Sequence, residues 1–361
     1  MIDHDIIREN YNRLRRQLPR VGLYLAIKAN PETAIIRTLY PLDSGYDVAS
    51  LQEFQAVMDN IPKKDLRGGK KKEFIWNKVI VANTIKPVEA LRKLRKFNTL
   101  MTYDNYDELD KIRKYCPDAG LICRIKVQNV GSMVELSSKF GVEPGDAPNL
   151  ISKALELGLS VEGLSFHVGS QCCNIENYIN ALEASAEIFK EMKKRGHPLN
   201  LLNIGGGFPV PYDETVPPFE DLAVKLKKEI DRLFPKKIEV VAEPGRFIVA
   251  TAATLVVKII GKAFRDGKIV YYINDGVYGT LSGVVFDHCP YHFNAFKKGE
   301  KKISAVVGPT CDAFDTVSTA EMLPELKVGD LLYVKNIGAY SNASATNFNG
   351  FPKAKILNIN L

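Results

Sequence analysis

Eight short apolar runs, separated by amphipathic stretches, fill the first 250 residues and constrain the fold more than any other feature. They are 22–27, 45–48, 78–82, 99–102, 121–127, 161–166, 201–204 and 239–242. Helical patterns follow most of them, at 87–97, 105–115, 147–157, 175–195 and 219–233. Asn105 and Asp107 occupy the cap and the acidic first turn of one such helix. Strand–helix alternation builds a parallel sheet, and eight strands close a (β/α)8 TIM-like barrel. An open doubly wound sheet is the competing α/β architecture. After about residue 250 the pattern changes. The runs 253–260, 268–273, 304–307, 330–335 and 354–357 are rich in β-branched and aromatic residues and are broken by turns. They predict a mostly antiparallel β domain. Two domains are therefore expected, 1–250 and 251–361.

Barrel enzymes carry their chemistry at the C-terminal ends of the strands. Here those ends hold Lys28, Asp47, Asn83, Tyr103, Arg124, His167, the Gly205–Gly207 turn and Glu243. Lys28, just past the first run, is set to project into a cleft. Burial there lowers a lysine pKa and makes it a Schiff-base nucleophile. Gly206 and Gly207 let backbone amides approach a phosphate, although a plain tight turn explains three glycines equally well. Glu243-Pro-Gly245-Arg246 offers a bidentate phosphate contact from Arg246 and a carboxylate for a ring nitrogen, or else a turn with a surface ion pair. His167 either stacks on a cofactor ring or is a satisfied core histidine. Ser170 and the Gly169 amide suit phosphate. Arg124, in an apolar strand, needs a partner if buried. In the second domain Cys311 is a proton donor, a nucleophile or an inert thiol. Asp312 and Asp287 suit a cationic group, or are solvated surface carboxylates. Tyr340 donates to phosphate or packs. Together these residues describe a pyridoxal-phosphate site.

Bulk properties limit the partners. No run reaches the roughly 18–20 apolar residues of a membrane span. The six cysteines show no metal-ligand spacing and read as reduced thiols, and no metal site is expected. The polar N-terminus makes the cytoplasm the default location. The net charge is +7, part of it in the basic stretch Lys63–Glu73. That stretch reads as a solvated loop. Nucleic-acid binding calls for interleaved aromatics, and none occurs before Phe74.

The ordered motifs Tyr24–Asn30, Asp47–Ser50, Ser138–Gly141, Ser165–Ser170, Ile204–Gly207, Glu243–Arg246, Asn274–Gly279, Gly308–Asp312, Gly338–Tyr340 and Phe348–Gly350 run through nearly the whole chain. In this order they resemble the pyridoxal-phosphate decarboxylases of the alanine-racemase fold, and within them eukaryotic-type ornithine decarboxylase and its lysine, ornithine or arginine relatives. The resemblance implies that Lys28 binds pyridoxal 5'-phosphate covalently, that His167 stacks on its ring, and that Glu243 pairs with the ring nitrogen. It assigns phosphate to Ser170, Gly207, Arg246 and Tyr340, counts Gly206 and Gly245 among the cofactor-binding residues, and places Asp47 and Arg124 around the cofactor. Cys311 and Asp312 are implied to enter from the other subunit of a head-to-tail homodimer, with Asp287 and Tyr278 on the substrate side.

A glutamate at the ring nitrogen, where the related racemases have arginine, implies decarboxylation. Two aspartates imply a basic substrate, L-ornithine first, giving putrescine for polyamine biosynthesis. Lysine, arginine and diaminopimelate are weaker alternatives. A regulatory homologue without catalysis is the reading from a different class. The stretch before Lys28 is shorter than in the eukaryotic enzymes, so a strand opening the second domain is expected to be missing.

Overall fold

The computed structural model describes residues 1–132, 138–212 and 216–361. Sixteen strands are present among them. In chain order β1 is Ile2–Asp3, β2 Val21–Ala26, β3 Gly45–Val48, β4 Val79–Val81, β5 Leu100–Tyr103, β6 Gly120–Arg124, β7 Ser160–Ser165, β8 Leu201–Asn203 and β9 Glu239–Ala242. There follow β10 Leu255–Arg265, β11 Lys268–Ile273, β12 Asn294–Ala295, β13 Lys301–Val307, β14 Thr316–Pro324, β15 Leu331–Val334 and β16 Asn358–Ile359. The chain forms two compact units. One is Glu9–Gly245; the other joins Met1–Arg8 to Arg246–Leu361.

In the first unit β2 to β9 close into a barrel in sequence order, every pair parallel. The expected eight-stranded barrel is thus the observed one. A barrel strand is covered by side chains inside and helices outside, so both faces are apolar and the sequence shows continuous runs. Tyr24, Ile80, Leu100, Ile122, Leu201 and Val241, from six different strands, form one buried cluster. Space for it comes from glycine. A Cβ on Gly45 would stand 2.4 Å from the Tyr24 ring, and one on Gly163 would stand 1.8 Å from the Leu201 carbonyl oxygen. Tyr24 satisfies its hydroxyl by donating to the Asn77 carbonyl at 2.7 Å. Helices Val88–Leu94, Tyr106–Tyr115, Ala147–Glu156, Ile175–Lys194 and Phe219–Leu233 follow the expected positions. Asn105 caps the second of these, accepting from the Glu108 amide at 2.9 Å. The basic stretch after Asn60 is a short 3-10 turn, Lys63–Leu66, followed by the helix Lys70–Lys78, not a loop throughout.

The second unit holds a six-stranded sheet in the order β12-β15-β10-β11-β13-β14, antiparallel except for the β11/β13 pair. Three expectations are corrected here. The boundary lies at 245/246 rather than 250. Segment 246–253 is tied to the C-terminal region by Gly338 N–H donating to the Ala250 carbonyl at 2.9 Å and Ile337 N–H to that of Ala253 at 3.1 Å. The opening strand is present as β1, which pairs in parallel with β16 and bridges Ile2 to Ala253. Segment 354–357 is not a strand; the pairing begins one residue later, at Asn358.

Candidate active site

The barrel unit brings Lys28, Asp47, Arg124, His167, Gly205–Gly207 and Glu243 to the C-terminal ends of its strands. Lys28 sits in a single 3-10 turn, Ile27–Ala29, directly after β2. Its Nζ is hydrogen-bonded to Asp47 Oδ2, on the neighbouring strand β3. The Asp47 side chain has no solvent exposure, and its other oxygen, Oδ1, is buried without a hydrogen-bond partner. The amine is thus paired with a carboxylate fully enclosed in the barrel.

Glu243 follows β9. Burial, and then the charge of Asp47, raise its pKa to about 7; Lys28, the Asn203 hydrogen bond and Arg124 oppose the rise. Its Oε1 accepts from Asn203 Nδ2 at 2.6 Å, while Asn203 Oδ1 accepts from the Gly205 amide at 2.9 Å. Asn203 is fully buried. It therefore joins the carboxyl to the glycine turn, a role the sequence reading missed. The available signal was a polar residue inside Leu201-Leu-Asn-Ile204, where an apolar strand gives way to three glycines.

Gly205 and Gly207 have φ of +65° and +96°, which strongly favours glycine. A Cβ on Gly205 would meet the Phe166 carbonyl at 2.3 Å, and one on Gly206 would come 3.2 Å from His167 Nε2. The turn is backbone laid close against His167. Tyr178 steadies it by donating to the Gly206 carbonyl at 2.9 Å. Burial, then the charges of Arg124 and Lys28, push the His167 pKa well below its ordinary value, so the ring is neutral. The Gly169 amide donates to its Nδ1 at 3.1 Å, which places the ring proton on Nε2. Arg124 ends β6 with its guanidinium 5.0 Å from the centre of the Phe140 ring. Burial lowers its pKa, against the charges of Glu243, Asp104 and Asp47. Ser170 follows the same loop as His167. Asn83 donates towards the Ala49 carbonyl, and Tyr103 is fully buried, so neither strand end adds a reactive group.

In the other unit Arg246, next in the chain after Gly245, is buried. It bonds Asp287 at 2.8 Å and lies 4.9 Å from the centre of the Tyr340 ring. Asp287 is therefore a buried partner of arginine and not a surface carboxylate. Tyr340 takes a φ of +53°. Asp312 accepts from the Tyr278 hydroxyl, and Tyr278 stacks on Phe348 with ring centres 4.3 Å apart. Cys311 is exposed, its amide donating to Asn349 Oδ1 at 3.1 Å. All six cysteines are free thiols. Among the described residues no cluster of His, Cys, Asp or Glu could hold a metal, and no helix is long and apolar enough to cross a membrane.

The donor set of the barrel unit fits pyridoxal phosphate. It combines an amine at a strand end, an orphaned buried carboxylate oxygen beside it, a neutral flat imidazole, a buried carboxyl of raised pKa and a glycine turn. Comparison with known proteins agrees with that fit. Residues 4–250 match the family described as pyridoxal-dependent decarboxylase, pyridoxal binding domain. The chain is 39% identical to the lysine/ornithine decarboxylase of Selenomonas ruminantium over 351 residues, which is 96% of this chain and 86% of that protein. Among solved structures it is similar to the lysine/ornithine decarboxylase of Vibrio vulnificus complexed with cadaverine. That match has a TM-score of 0.90 and 35% identity, and covers all of this chain and 94% of the other. It is also similar to the arginine decarboxylase of Paramecium bursaria Chlorella virus, with a TM-score of 0.91, 30% identity and coverage of 99% and 94%.

Proposed function

Because the chain belongs to the pyridoxal-dependent decarboxylase family, we propose that it decarboxylates a basic L-amino acid, L-ornithine to putrescine first and L-lysine second. The observation that carries the reading is Glu243, a buried carboxyl whose pKa is raised by burial and by the charge of Asp47, held by Asn203 at the end of β9. Pyridoxal phosphate, when bound, supplies an electron sink for the pair left behind by departing carbon dioxide. Glu243 would pair with the ring nitrogen and hold it protonated, which would keep that sink strong. Asn203 holds Glu243 Oε1 through its 2.6 Å bond, so the orientation of the carboxyl is fixed. Lys28 would anchor the cofactor through its amine, which Asp47 holds in place by its hydrogen bond. His167, neutral and flat, covers one face of the ring without adding charge. Gly206, Gly207 and Ser170 of the barrel unit would serve the phosphate.

Substrate choice rests on Asp312 and Asp287. The pairing of Asp312 with a tyrosine hydroxyl supports a site that presents its carboxylate to a compact ammonium. One methylene in such a pocket is worth only about 1–3 kcal/mol, which supports activity on lysine as well. We further propose a cytoplasmic head-to-tail homodimer in which Cys311 and Asp312 complete the partner's site. The exposed Phe314, Phe348 and Phe351, in the same unit as Cys311, support a covered surface there. In it, Cys311 donates the proton that finishes the amine product.

The test is a mixed incubation of the holoenzyme with equal L-ornithine, L-lysine, L-arginine and meso-diaminopimelate, read as amine product by mass spectrometry. Dominant putrescine is the expected result, with cadaverine second. Cofactor-loaded protein that forms no amine refutes the decarboxylase reading for these substrates.

A further inference from the structure

Charge is distributed very unevenly along this chain. Residues 63–96 contain twelve Lys and Arg against three Asp and Glu, an excess larger than the +7 of the whole protein. The rest of the chain is therefore slightly acidic. Apart from Lys86, which is buried against Glu108, the cations of this segment gather at one end of the barrel with the end of helix Tyr106–Tyr115. Lys71, on helix Lys70–Lys78, places Nζ 5.1 Å from the centre of the Phe97 ring, and Lys96 does the same at 5.1 Å. Arg92, on helix Val88–Leu94, lies 4.9 Å from the Tyr115 ring centre, with Lys114 at 5.3 Å. Both rings are half-buried and lie among cations. The barrel helices return antiparallel to the strands, so their last turns lie at the strand N-termini, the end of the barrel opposite Lys28.

Helix chemistry explains part of this charge. Arg92, Lys93, Arg113 and Lys114 occupy last turns, where the macrodipole favours cations. It does not explain the rest. Lys70, Lys71 and Lys72 open their helix at the end where the dipole disfavours cations, behind a Gly69 cap with no side-chain hydrogen bond. Among the described residues, the exposed cations Lys63, Lys64, Arg67, Lys70, Lys72 and Lys96 form no salt bridge. A field of one sign, kept against local helix stability, calls for an anionic partner.

We propose that the base of the barrel binds single-stranded nucleic acid. Unpaired cations match a phosphodiester backbone, and rings set among cations match base stacking. The aromatics missing from 63–73 in sequence are supplied in space by Phe97 and Tyr115. A folded protein partner would need an apolar interface core, and a membrane would need side chains to insert. Between residues 63 and 96 the one large hydrophobic that is exposed is Ile85, beyond the C-terminal end of β4 and so at the opposite end of the barrel.

The experiment is fluorescence anisotropy of a labelled single-stranded oligouridylate, roughly 20 nucleotides long, against full-length holoenzyme in rising KCl. Four or more phosphate contacts give a log–log salt slope of about −3 or steeper. The variant Lys70→Glu/Lys72→Glu/Arg95→Glu/Lys96→Glu should bind at least about tenfold more weakly, with a flatter slope. Tyr115→Leu should lose about fivefold or more in affinity at an unchanged slope, since stacking is not a salt effect. A control, Lys225→Glu/Lys227→Glu/Lys228→Glu, reverses three charges along helix Phe219–Leu233 and should bind like the parent. Decarboxylation rate and unfolding midpoint should be unchanged in all three. The proposal is overturned by no binding in about 50 mM salt, by equal loss in the control, or by phosphatidylserine vesicles being bound while the oligonucleotide is not.

Discussion

Replacing Asn203 with leucine keeps the branched shape and removes two hydrogen bonds from a site with no solvent exposure. One is the 2.6 Å bond to Glu243. Bonds to an ionisable partner contribute about 1.5–3 kcal/mol. The other leaves the Gly205 amide without its acceptor, and an unsatisfied buried donor costs about 1–3 kcal/mol. Together the loss should be about 3–5 kcal/mol, a large share of the roughly 5–15 kcal/mol that holds a domain together. Urea unfolding of the apoprotein measures it. A second readout separates positioning from packing. The Asn203 bond lowers the Glu243 pKa, so its removal should raise that pKa further. The pH titration of bound-cofactor absorbance should then move to higher pH. A stability loss under about 1 kcal/mol, or an unmoved titration, refutes the argument that Asn203 controls Glu243.

Glu243 itself makes the apoprotein pH-sensitive. Its folded pKa of about 7 exceeds the ordinary 4.5, so between these values the native state binds a proton that the unfolded state has released, and stability falls as pH rises through the window. Thermal midpoints at pH 5 and pH 8 should show a drop in wild type that Glu243→Gln removes; equal drops in both would contradict this. Lys86, 2% exposed, pairs with Glu108 at 3.0 Å and donates to the carbonyls of Asn83, Thr84 and Thr102. Lys86→Met should therefore cost about 3–5 kcal/mol in denaturant unfolding, and a cost below about 1 kcal/mol would show that the pair is dispensable. Cys311 is exposed, so Cys311→Ala should leave stability within about 0.5 kcal/mol while shifting product from amine towards aldehyde by mass spectrometry; an unchanged product ratio would remove its proton-donor role.

The barrel was legible because its strands are buried on both faces and leave unbroken apolar runs. Lys28, His167 and Glu243 were legible because they stand where such runs end. Strands that depend on distant pairing were not. β14 reads Thr-Val-Ser-Thr-Ala-Glu-Met-Leu-Pro and carries no apolar run; its partner β13 defines it. β1 has two residues, too few for any periodicity. The pairing of Arg246 with Asp287 spans 41 positions, and nothing local in either residue announces the other. Asn203 was hidden for a related reason: an asparagine beside three glycines looks like turn chemistry until its second contact, 40 residues on, is seen.

The pairing of β1 with β16 has a consequence for the order in which the protein can be completed. Ile2 is matched with Asn358. At about 5–20 residues per second of synthesis, the intervening stretch takes roughly 20–70 seconds to make. Residues 9–245 are contiguous and can close their barrel within that interval. Ile2 can meet its bridge partner Ala253 earlier, but its strand pairing with Asn358 must wait for the far end of the chain to arrive. Ribosome-stalled chains ending near residue 300 should therefore contain a protease-resistant barrel and a cleavable N-terminal segment.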